Sequence, residues 1–242
     1  MNLVVENLNK TYDKKAIVDG ISFKITSGET TGILGPNGAG KTTLFYMIAG
    51  LVAIDSGKIY LSEKELNQKS ISERTALGLT YLPQESSVFK GLTVEENIFS
   101  ALEQRKDLNH KERHRELDSL LEDFGLDELS NTLGIKLSGG ERRRTEIARS
   151  VASNPQFILL DEPFAGIDPI AVSDLKDIIH NLNKKGIGVL ISDHNVRDTM
   201  KICKQVLIVN KGKIIANGDP SEIANDKLVK EVYLGQDFDT EL

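Results

Sequence analysis

The order of apolar and polar positions divides the chain into three zones. Up to about residue 84, short apolar runs bounded by turn residues predict strands, with one helix after a glycine-rich loop. From about residue 94 to residue 153 the apolar side chains recur with helical spacing, and this pattern predicts an inserted helical subdomain. The strands predicted in the first zone cover residues 3–5, 21–25, 30–34, 58–61 and 79–82.

Strands and helices alternate again in the third zone, from residue 157 onward. The apolar runs predict strands over residues 157–160, 188–192, 206–209 and 213–216, and a helix over 170–183 that carries one apolar stripe. Such alternation is typical of a mainly parallel sheet covered by helices on both faces. We therefore expect an α/β fold with an all-helical lobe.

Composition narrows the class of protein. The 242 residues are 39% hydrophobic and carry a net charge of −6, so an acidic globular protein is expected and nucleic acid is a disfavoured partner. No apolar run approaches the roughly 18 residues of a membrane span, and the first residues do not resemble a signal peptide. A cytoplasmic location is expected. The one cysteine, Cys203, is expected to be a buried free thiol.

The segment GPNGAGKTT lies between a predicted strand and a predicted helix. Its first eight residues match the pattern G-x-x-x-x-G-K-[ST] in the context that this pattern requires. Glycines let backbone N–H groups turn toward an anion, and the start of the following helix adds the positive end of its dipole. A polyphosphate is the predicted ligand, and a glycine-rich turn with a chance lysine is the alternative. The predicted contacts are Gly35, Pro36, Asn37, Gly38, Ala39, Gly40, Lys41, Thr42 and Thr43.

Two roles in this segment follow the chemistry of P-loop NTPases. Lys41 would act as a point charge on the β- and γ-phosphates, and the Thr42 hydroxyl would take a magnesium position. An apolar strand that ends in Asp161 and Glu162 supplies the acidic partners. Asp161 would hold magnesium through water, and Glu162 would polarise the attacking water. Nucleoside triphosphate hydrolysis is therefore predicted; two carboxylates that merely face solvent are the alternative.

A second anion-binding segment occurs at residues 137–141, LSGGE. Ser138, Gly139 and Gly140 precede a predicted helix, so a hydroxyl, N–H groups and the positive end of a helix dipole converge there. Because one domain has no need of two such sites for one nucleotide, the segment is expected to face the nucleotide of another copy. A simple helix cap beside a solvated basic face is the alternative.

These segments, in this order, resemble the nucleotide-binding domains of ABC transporters over essentially the whole chain. The resemblance implies a RecA-like P-loop NTPase core with an antiparallel β subdomain, and it implies ATP and Mg²⁺ as cofactors. It further implies that Tyr12 stacks on adenine, that Gln84 joins the magnesium shell and that His194 contacts the γ-phosphate. Taken without the resemblance, a lone tyrosine is usually core, a lone histidine is packed or on the surface, and Gln84 is a loop residue.

Within the family, the resemblance is closest to the ATPases that drive lipopolysaccharide export, and it extends through residues 232–238, beyond every catalytic motif. It implies a homodimer that sandwiches ATP, two permease partners, a bitopic membrane protein, and a peripheral position on the cytoplasmic face of the inner membrane. The ATPase of a branched-chain amino-acid importer is the nearest alternative. A soluble ABC protein acting on ribosomes or DNA, and a small-molecule kinase, are alternatives of other classes.

The expected domain organisation is one nucleotide-binding domain over residues 1–235, with the helical subdomain at about 86–155, and a tail over 236–242. An apolar Phe89 beside a basic Lys90 begins the helical zone. We expect this pair to line a groove for a short amphipathic helix of a membrane subunit, with core packing of Phe89 as the alternative.

Overall fold

The computed structural model describes residues 1–235 and 238, and its strands form two sheets. The strands are β1 (Asn2–Tyr12), β2 (Lys15–Thr26), β3 (Thr30–Leu34), β4 (Ser56–Leu61), β5 (Lys64–Glu65), β6 (Leu79–Leu82), β7 (Phe157–Asp161), β8 (Gly188–Ser192), β9 (Gln205–Asn210) and β10 (Lys213–Gly218). The helices are α1 (Lys41–Ala49), α2 (Ile71–Ala76), α3 (Val94–Leu102), α4 (His110–Asp123), α5 (Gly139–Ala152), α6 (Pro169–Lys184), α7 (Val196–Ile202), α8 (Pro220–Asn225) and α9 (Lys227–Val229).

The larger sheet forms the centre of the fold. Its strand order is β10-β9-β3-β8-β7-β6, and all neighbours are parallel except β10, which runs antiparallel to β9. Every residue of β3, β7 and β8 is buried. Burial on both faces explains why these strands are continuous apolar runs rather than alternating ones. The prediction of a mainly parallel sheet covered by helices is confirmed.

The smaller sheet is antiparallel, with the order β2-β1-β4-β5. The long strands β1 and β2 are joined at Asp13 and Lys14, both of which have positive φ. Apolar residues at alternating positions, such as Leu3 and Val5, are buried, which is the pattern of a sheet with one covered face. The antiparallel β subdomain implied by the family resemblance is thus present.

Three helices, α3 to α5, fill the zone for which helical periodicity was found. Residues 94–152 contain no strand; short 3₁₀ turns at Asp127–Leu129 and Gly134–Lys136 connect the helices. The apolar faces of these helices share one cluster with β7, β8 and α6, in which Leu120, Ile147 and Leu160 are buried. The helical lobe is therefore packed onto the central sheet through a common core.

Some local details differ from the sequence prediction. One helix was predicted before residue 84, but α2 also forms there. It starts at a capping box in which Ser70 and Glu73 each accept a hydrogen bond from the other's backbone N–H. The two-residue strand β5 was missed, and β1 and β2 are longer than predicted. The division at residue 235 stays a prediction, because residues 236, 237 and 239–242 lie outside the described part of the chain.

None of the helices described in residues 1–235 has the length and apolar character that crossing a membrane requires.

Candidate active site

Four loops carry the predicted site residues to one edge of the central sheet. The glycine-rich loop 35–40 follows β3, His194 follows β8, Glu162 follows β7 and Gln84 follows β6. These four strands are adjacent and parallel, in the order β3-β8-β7-β6, so their carboxyl ends lie side by side. Ligands of open α/β sheets bind at this edge.

Two glycines of the loop occupy positions where no other residue fits. Gly35 has a φ of +151°, and a Cβ there would lie 2.0 Å from the Val209 carbonyl oxygen. Gly40 has a φ of +105°, and its Cβ would lie 2.4 Å from the carbonyl oxygen of Ile17. The loop is thus pressed against β9 and β2 by its backbone, which explains the glycines at its two ends.

Lys41 lies inside the curve of the loop. Its Nζ donates hydrogen bonds to the carbonyl oxygens of Gly35 at 2.7 Å and Pro36 at 3.1 Å. Burial lowers the pKa of Lys41, and the carboxylates of Glu162 and Asp161 oppose that effect. Helix α1 begins directly after Gly40, which has no side chain to cap it. The first N–H groups of α1 are therefore free of a side-chain cap, as an anion site at a helix start requires.

Glu162 is held by residues from the two neighbouring loops. Gln84 Nε2 donates to Glu162 Oε2 at 2.6 Å, and His194 Nε2 lies 2.8 Å from Glu162 Oε1. The backbone N–H of Glu162 donates to the Ser192 carbonyl oxygen at 2.7 Å. Glu162 has a φ of +45°, an uncommon conformation for a non-glycine residue and one that is often found at functional sites. The structure thus brings Gln84, Glu162 and His194 together.

Asp161 is buried beside this group, and burial raises its pKa above the usual range of a carboxyl group. Tyr81 Oη donates a hydrogen bond to Asp161 Oδ2 at 3.2 Å, and the Tyr81 ring meets Tyr46 of α1 edge-on at a centroid distance of 6.1 Å. Burial also raises the pKa of Tyr81, so its hydroxyl stays a donor. Tyr81 was not among the predicted site residues. Its position near the end of β6, three residues before Gln84, could have indicated that it lies at the site.

The oxygen atoms at this edge suit a magnesium ion that arrives with a nucleotide. The predicted donors are the Thr42 hydroxyl, the Gln84 amide and the Asp161 carboxylate, all hard oxygen ligands. In the described part of the chain, no cluster of three or more His, Cys, Asp or Glu side chains is arranged to hold a metal by itself. Magnesium is usually bound through one or two carboxylates together with substrate phosphates, and Asp161 is the carboxylate among these donors.

Tyr12 lies at the end of β1, in the hairpin whose Ile17 carbonyl touches Gly40 of the loop. The ring is 45% exposed, which leaves it accessible to a planar ligand. Lys10 Nζ lies 5.3 Å from the ring centroid and pairs with Asp55 at 2.8 Å. Tyr12 is therefore an exposed ring on the hairpin that contacts the glycine loop, rather than a core residue.

The segment Ser138-Gly139-Gly140 begins α5 at a different place. Ser138 Oγ accepts from the Glu141 N–H, and Glu141 Oε2 accepts from the Ser138 N–H, which is a capping box. A Cβ at Gly140 would lie 2.7 Å from Ala171 Cβ, so the segment contacts α6 instead of the glycine loop of its own chain.

Phe89 and Lys90 are both exposed, and Phe89 keeps 51% of its surface accessible. Arg149 of α5 stacks on the Phe89 ring, with its guanidinium carbon 4.8 Å from the centroid. Core packing of Phe89, the alternative considered from the sequence, is wrong. A cleft of about 870 Å³ is lined by residues of α2, by Ala101 near the end of α3 and by Ser153 just after α5; Phe89 and Lys90 do not line it.

Comparison with known proteins agrees with this geometry. The profile of the family described as ABC transporter matches residues 18–165, which is more than half of the chain. The chain belongs to the ABC transporter family. The profile of the branched-chain amino acid ATP-binding cassette transporters matches residues 213–239 of this ABC chain.

Relatives cover the ABC chain almost completely. It is 52% identical to the lipopolysaccharide export system ATP-binding protein LptB of Haemophilus influenzae, over 98% of each chain. It is 49% identical to LptB of Escherichia coli strain K12, again over 98% of each. The family domain and these relatives identify the ABC chain as an ATPase.

Solved structures confirm the fold. The crystal structure of the ADP conformation of MJ1267, an ATP-binding cassette of an ABC transporter, superposes with a TM-score of 0.86. It is 29% identical and covers 98% of this chain and 100% of that one. The structure of cbiO1 from Clostridium perfringens, part of the transporter complex cbiONQ, gives a TM-score of 0.84 at 30% identity, over 97% of this chain and 95% of that one. The P-loop NTPase fold predicted from the sequence is confirmed.

Proposed function

We propose that the chain is the ATP-hydrolysing subunit of a lipopolysaccharide exporter and that it powers extraction of lipopolysaccharide from the inner membrane toward the outer membrane. The observation that carries this proposal is identity of about one half to the LptB proteins over 98% of both chains. That similarity extends far beyond the catalytic motifs, into regions that ATP chemistry does not dictate. The site at the sheet edge supplies the chemistry that the proposal needs.

Each site residue has a role that its position supports. The loop 35–43 and Lys41 bind the β- and γ-phosphates, because backbone N–H groups and an ammonium converge there. Tyr12 stacks on adenine. Glu162 acts on the attacking water as a base, and Gln84 and His194 orient its carboxylate through one oxygen each. His194 also contacts the γ-phosphate, which places it between the reacting group and the base.

Magnesium would be held by Thr42, Gln84 and Asp161, and when bound it neutralises charge on the β- and γ-phosphates. Tyr81 fixes the Asp161 carboxylate by donating to Oδ2, which leaves Oδ1 for a cation or its water. The fit rests on the oxygen donors described above.

The proposed active unit is a two-fold homodimer. Ser138, Gly139 and Gly140 stand at the N-terminal end of α5, and the nearest atoms at the two glycines belong to residues 166, 167 and 171 rather than to the glycine loop. A helix start of this kind suits an anion. In an isologous dimer each segment faces the partner's nucleotide, so ATP completes the interface. ATP then favours the closed dimer, and loss of the γ-phosphate lets it open.

The proposed membrane partners are two permease subunits and a bitopic protein, with the chain peripheral on the cytoplasmic face of the inner membrane. Phe89 and Lys90 offer an exposed apolar ring and an exposed cation just before the helical lobe. A short amphipathic helix of a permease suits this surface, because its apolar face can cover Phe89.

A second candidate is the ATPase of a branched-chain amino-acid importer. The profile match over residues 213–239 favours it. That match is confined to the C-terminal part, whereas the similarity to LptB runs through the helical lobe as well. Lipopolysaccharide export is therefore the first proposal.

Purification of the native membrane complex through an affinity tag on this chain tests the proposal. Two permeases and a bitopic protein should co-purify, and the reconstituted complex should release lipopolysaccharide from proteoliposomes when ATP is added. A Glu162→Gln complex serves as the control for ATP dependence. Co-purification of import permeases with an amino-acid binding protein would refute export and favour the second candidate.

A further inference from the structure

Two side chains of α5 hold the segment between Gln84 and Phe89: Arg149, whose Nη2 donates to Ser87 Oγ at 2.7 Å, and the buried carboxylate of Glu146. Glu146 is 2% exposed, and its Oε1 accepts three hydrogen bonds from this segment. The donors are Ser86 Oγ at 2.8 Å, the Ser87 N–H at 2.7 Å and the Val88 N–H at 3.2 Å. A carboxylate that accepts backbone N–H groups makes strong, charge-assisted bonds, so the segment is held firmly to the helix.

The other oxygen of Glu146 faces Arg143, one turn earlier on the same helix. Arg143 Nη1 lies 3.2 Å from Glu146 Oε2 and donates to the Pro83 carbonyl oxygen at 2.9 Å. Its Nη2 donates to the Asp161 carbonyl oxygen at 3.1 Å. The pair therefore connects α5 to three backbone positions near the site. Arg143 bonds to the residues just before Gln84 and just before Glu162, and Glu146 bonds to the two residues before Phe89.

The backbone of Phe89 is hydrogen-bonded to α3, a second helix of the lobe. Asn97 of α3 is fully buried; its Oδ1 accepts from the Phe89 N–H at 2.8 Å and its Nδ2 donates to the Phe89 carbonyl oxygen at 3.1 Å. The backbone of Phe89 is therefore hydrogen-bonded to α3, and the residues just before it are hydrogen-bonded to α5.

We infer that Glu146 is a positioning residue that makes the exposed Phe89 surface and the N-terminus of α5 move as one body. The N-terminus of α5 is the Ser138 segment, so a displacement at Phe89 reaches the predicted phosphate-binding cap through Glu146 and the helix axis. Glu146 touches neither nucleotide nor magnesium in this assignment. The inference rests on the proposed function, because it takes the Phe89 surface as the docking place of a membrane subunit.

Hydrogen exchange tests the fastening without any partner. In the isolated full chain, Glu146→Ala should speed exchange of the Ser87 and Val88 amides by at least about tenfold, since each loses a charge-assisted bond. Glu146→Gln keeps an acceptor oxygen, so its exchange rates at these amides should lie between those of the wild type and of Glu146→Ala. Ser150→Ala is the matched control, because it removes a buried hydroxyl from the same helix that bonds only to the Glu146 main-chain oxygen.

The transmission is tested by the ratio of ATP hydrolysis in the purified membrane complex to hydrolysis by the isolated chain. Glu146→Ala should lower that ratio at least about fivefold, the lower end of typical coupling between sites. The isolated chain should keep its rate within about threefold, because Glu146 does not touch the reacting groups. Ser150→Ala should change neither quantity. If Glu146→Ala folds poorly, Glu146→Gln is used instead, and it should lower the same ratio by a smaller factor.

Unchanged amide exchange in both Glu146 variants would overturn the inference, and so would an unchanged ratio in a variant whose exchange is faster. Failure of the proposed function looks different. It would appear as a wild-type complex that releases no lipopolysaccharide, while the exchange result and the ratio still decide the role of Glu146.

Discussion

His194 Nε2 lies 2.8 Å from Glu162 Oε1, although the two residues come from different loops of the sheet edge. The second oxygen of Glu162 is taken by Gln84 Nε2. The carboxylate is therefore oriented from both sides, as a base that must act on one water molecule needs to be. This relationship leads to the first prediction.

Glu162→Gln should abolish turnover while nucleotide binding persists. Glutamine keeps the size of the side chain but lacks the basic carboxylate, so we expect kcat to fall by at least about 10². The variant should form a stable dimer in ATP and magnesium, measured by light scattering during gel filtration.

The wild-type chain in ADP is the control for that experiment and should elute as a monomer. A Glu162→Gln chain that stays monomeric in ATP and magnesium would contradict the proposed ATP sandwich.

Lys41→Ala should weaken nucleotide binding. Its ammonium lies within the glycine loop, and removing a charged hydrogen-bond donor from such a place costs about 1.5–3 kcal/mol, or at least about a tenfold rise in Kd. Titration calorimetry with a non-hydrolysed ATP analogue measures this. Lys64→Ala, on the exposed short strand β5, removes the same charge elsewhere and should leave Kd unchanged. Equal affinities of the two variants for the ATP analogue would show that Lys41 does not bind the phosphates.

Two inactive variants should restore activity when they are mixed. Lys41→Ala damages the glycine loop and keeps Ser138, whereas Ser138→Arg blocks the α5 cap and keeps the loop. If each site uses the loop of one protomer and the cap of the other, a mixed dimer has one complete site. Equal mixing should then yield about a quarter of the wild-type rate, because half of the dimers are mixed and each has one of two sites.

Each variant alone should stay inactive at every concentration, which is the control for the mixing experiment. A lone chain that hydrolyses ATP at the full rate despite Ser138→Arg would disprove the shared site.

Phe89→Ala and Lys90→Glu should impair transport far more than basal ATP hydrolysis. Phe89 is half exposed, so its truncation removes little core packing and the fold should remain intact. Leu228→Ala is a suitable control, since Leu228 is exposed to a similar degree, 48%, on the far C-terminal helix α9. Release of lipid from proteoliposomes and hydrolysis by the isolated chain are the two measurements. Equal loss of both activities would indicate misfolding instead of lost docking.

Cys203 should resist alkylation in the native chain. Cys203 is partly buried, not fully buried as predicted from the sequence. Burial nevertheless raises the pKa of its thiol, and a Cβ at Gly32 would lie 3.0 Å from Sγ. At pH 8 the reactive thiolate is therefore scarcer in the folded than in the unfolded protein. Maleimide labelling should be at least about tenfold slower than in denaturant, since one pKa unit is a factor of ten in thiolate. Equally fast labelling in both states would show that the thiol is open to solvent.

Most helices and strands, and the residue types of the candidate site, could be predicted from the sequence alone. Apolar runs and turn residues predicted the bounds of β3, β7 and β8 within about one residue. These strands are buried on both faces, so nearly all of their residues are apolar and the runs are easy to recognise. The glycine loop was also readable from its G-x-x-x-x-G-K-[ST] pattern, although the carbonyl groups that exclude a side chain at Gly35 and Gly40 belong to the distant residues Val209 and Ile17. Capping signals were equally local, and α2 was overlooked although its capping box was present in the sequence.

The contacts between these residues depend on how the strands and helices pack. Gln84 and Glu162 are 78 residues apart in the chain, and they touch because β6 and β7 are neighbours in the sheet. Glu146 bonds a segment that lies 58 to 60 residues earlier, and no periodicity in either stretch predicts that pairing. Helix and strand patterns report which face is apolar, whereas the partner of a buried polar group depends on how the faces are packed together. The physical reason is that hydrogen bonds between distant segments are selected by the fold as a whole and leave no local trace in composition.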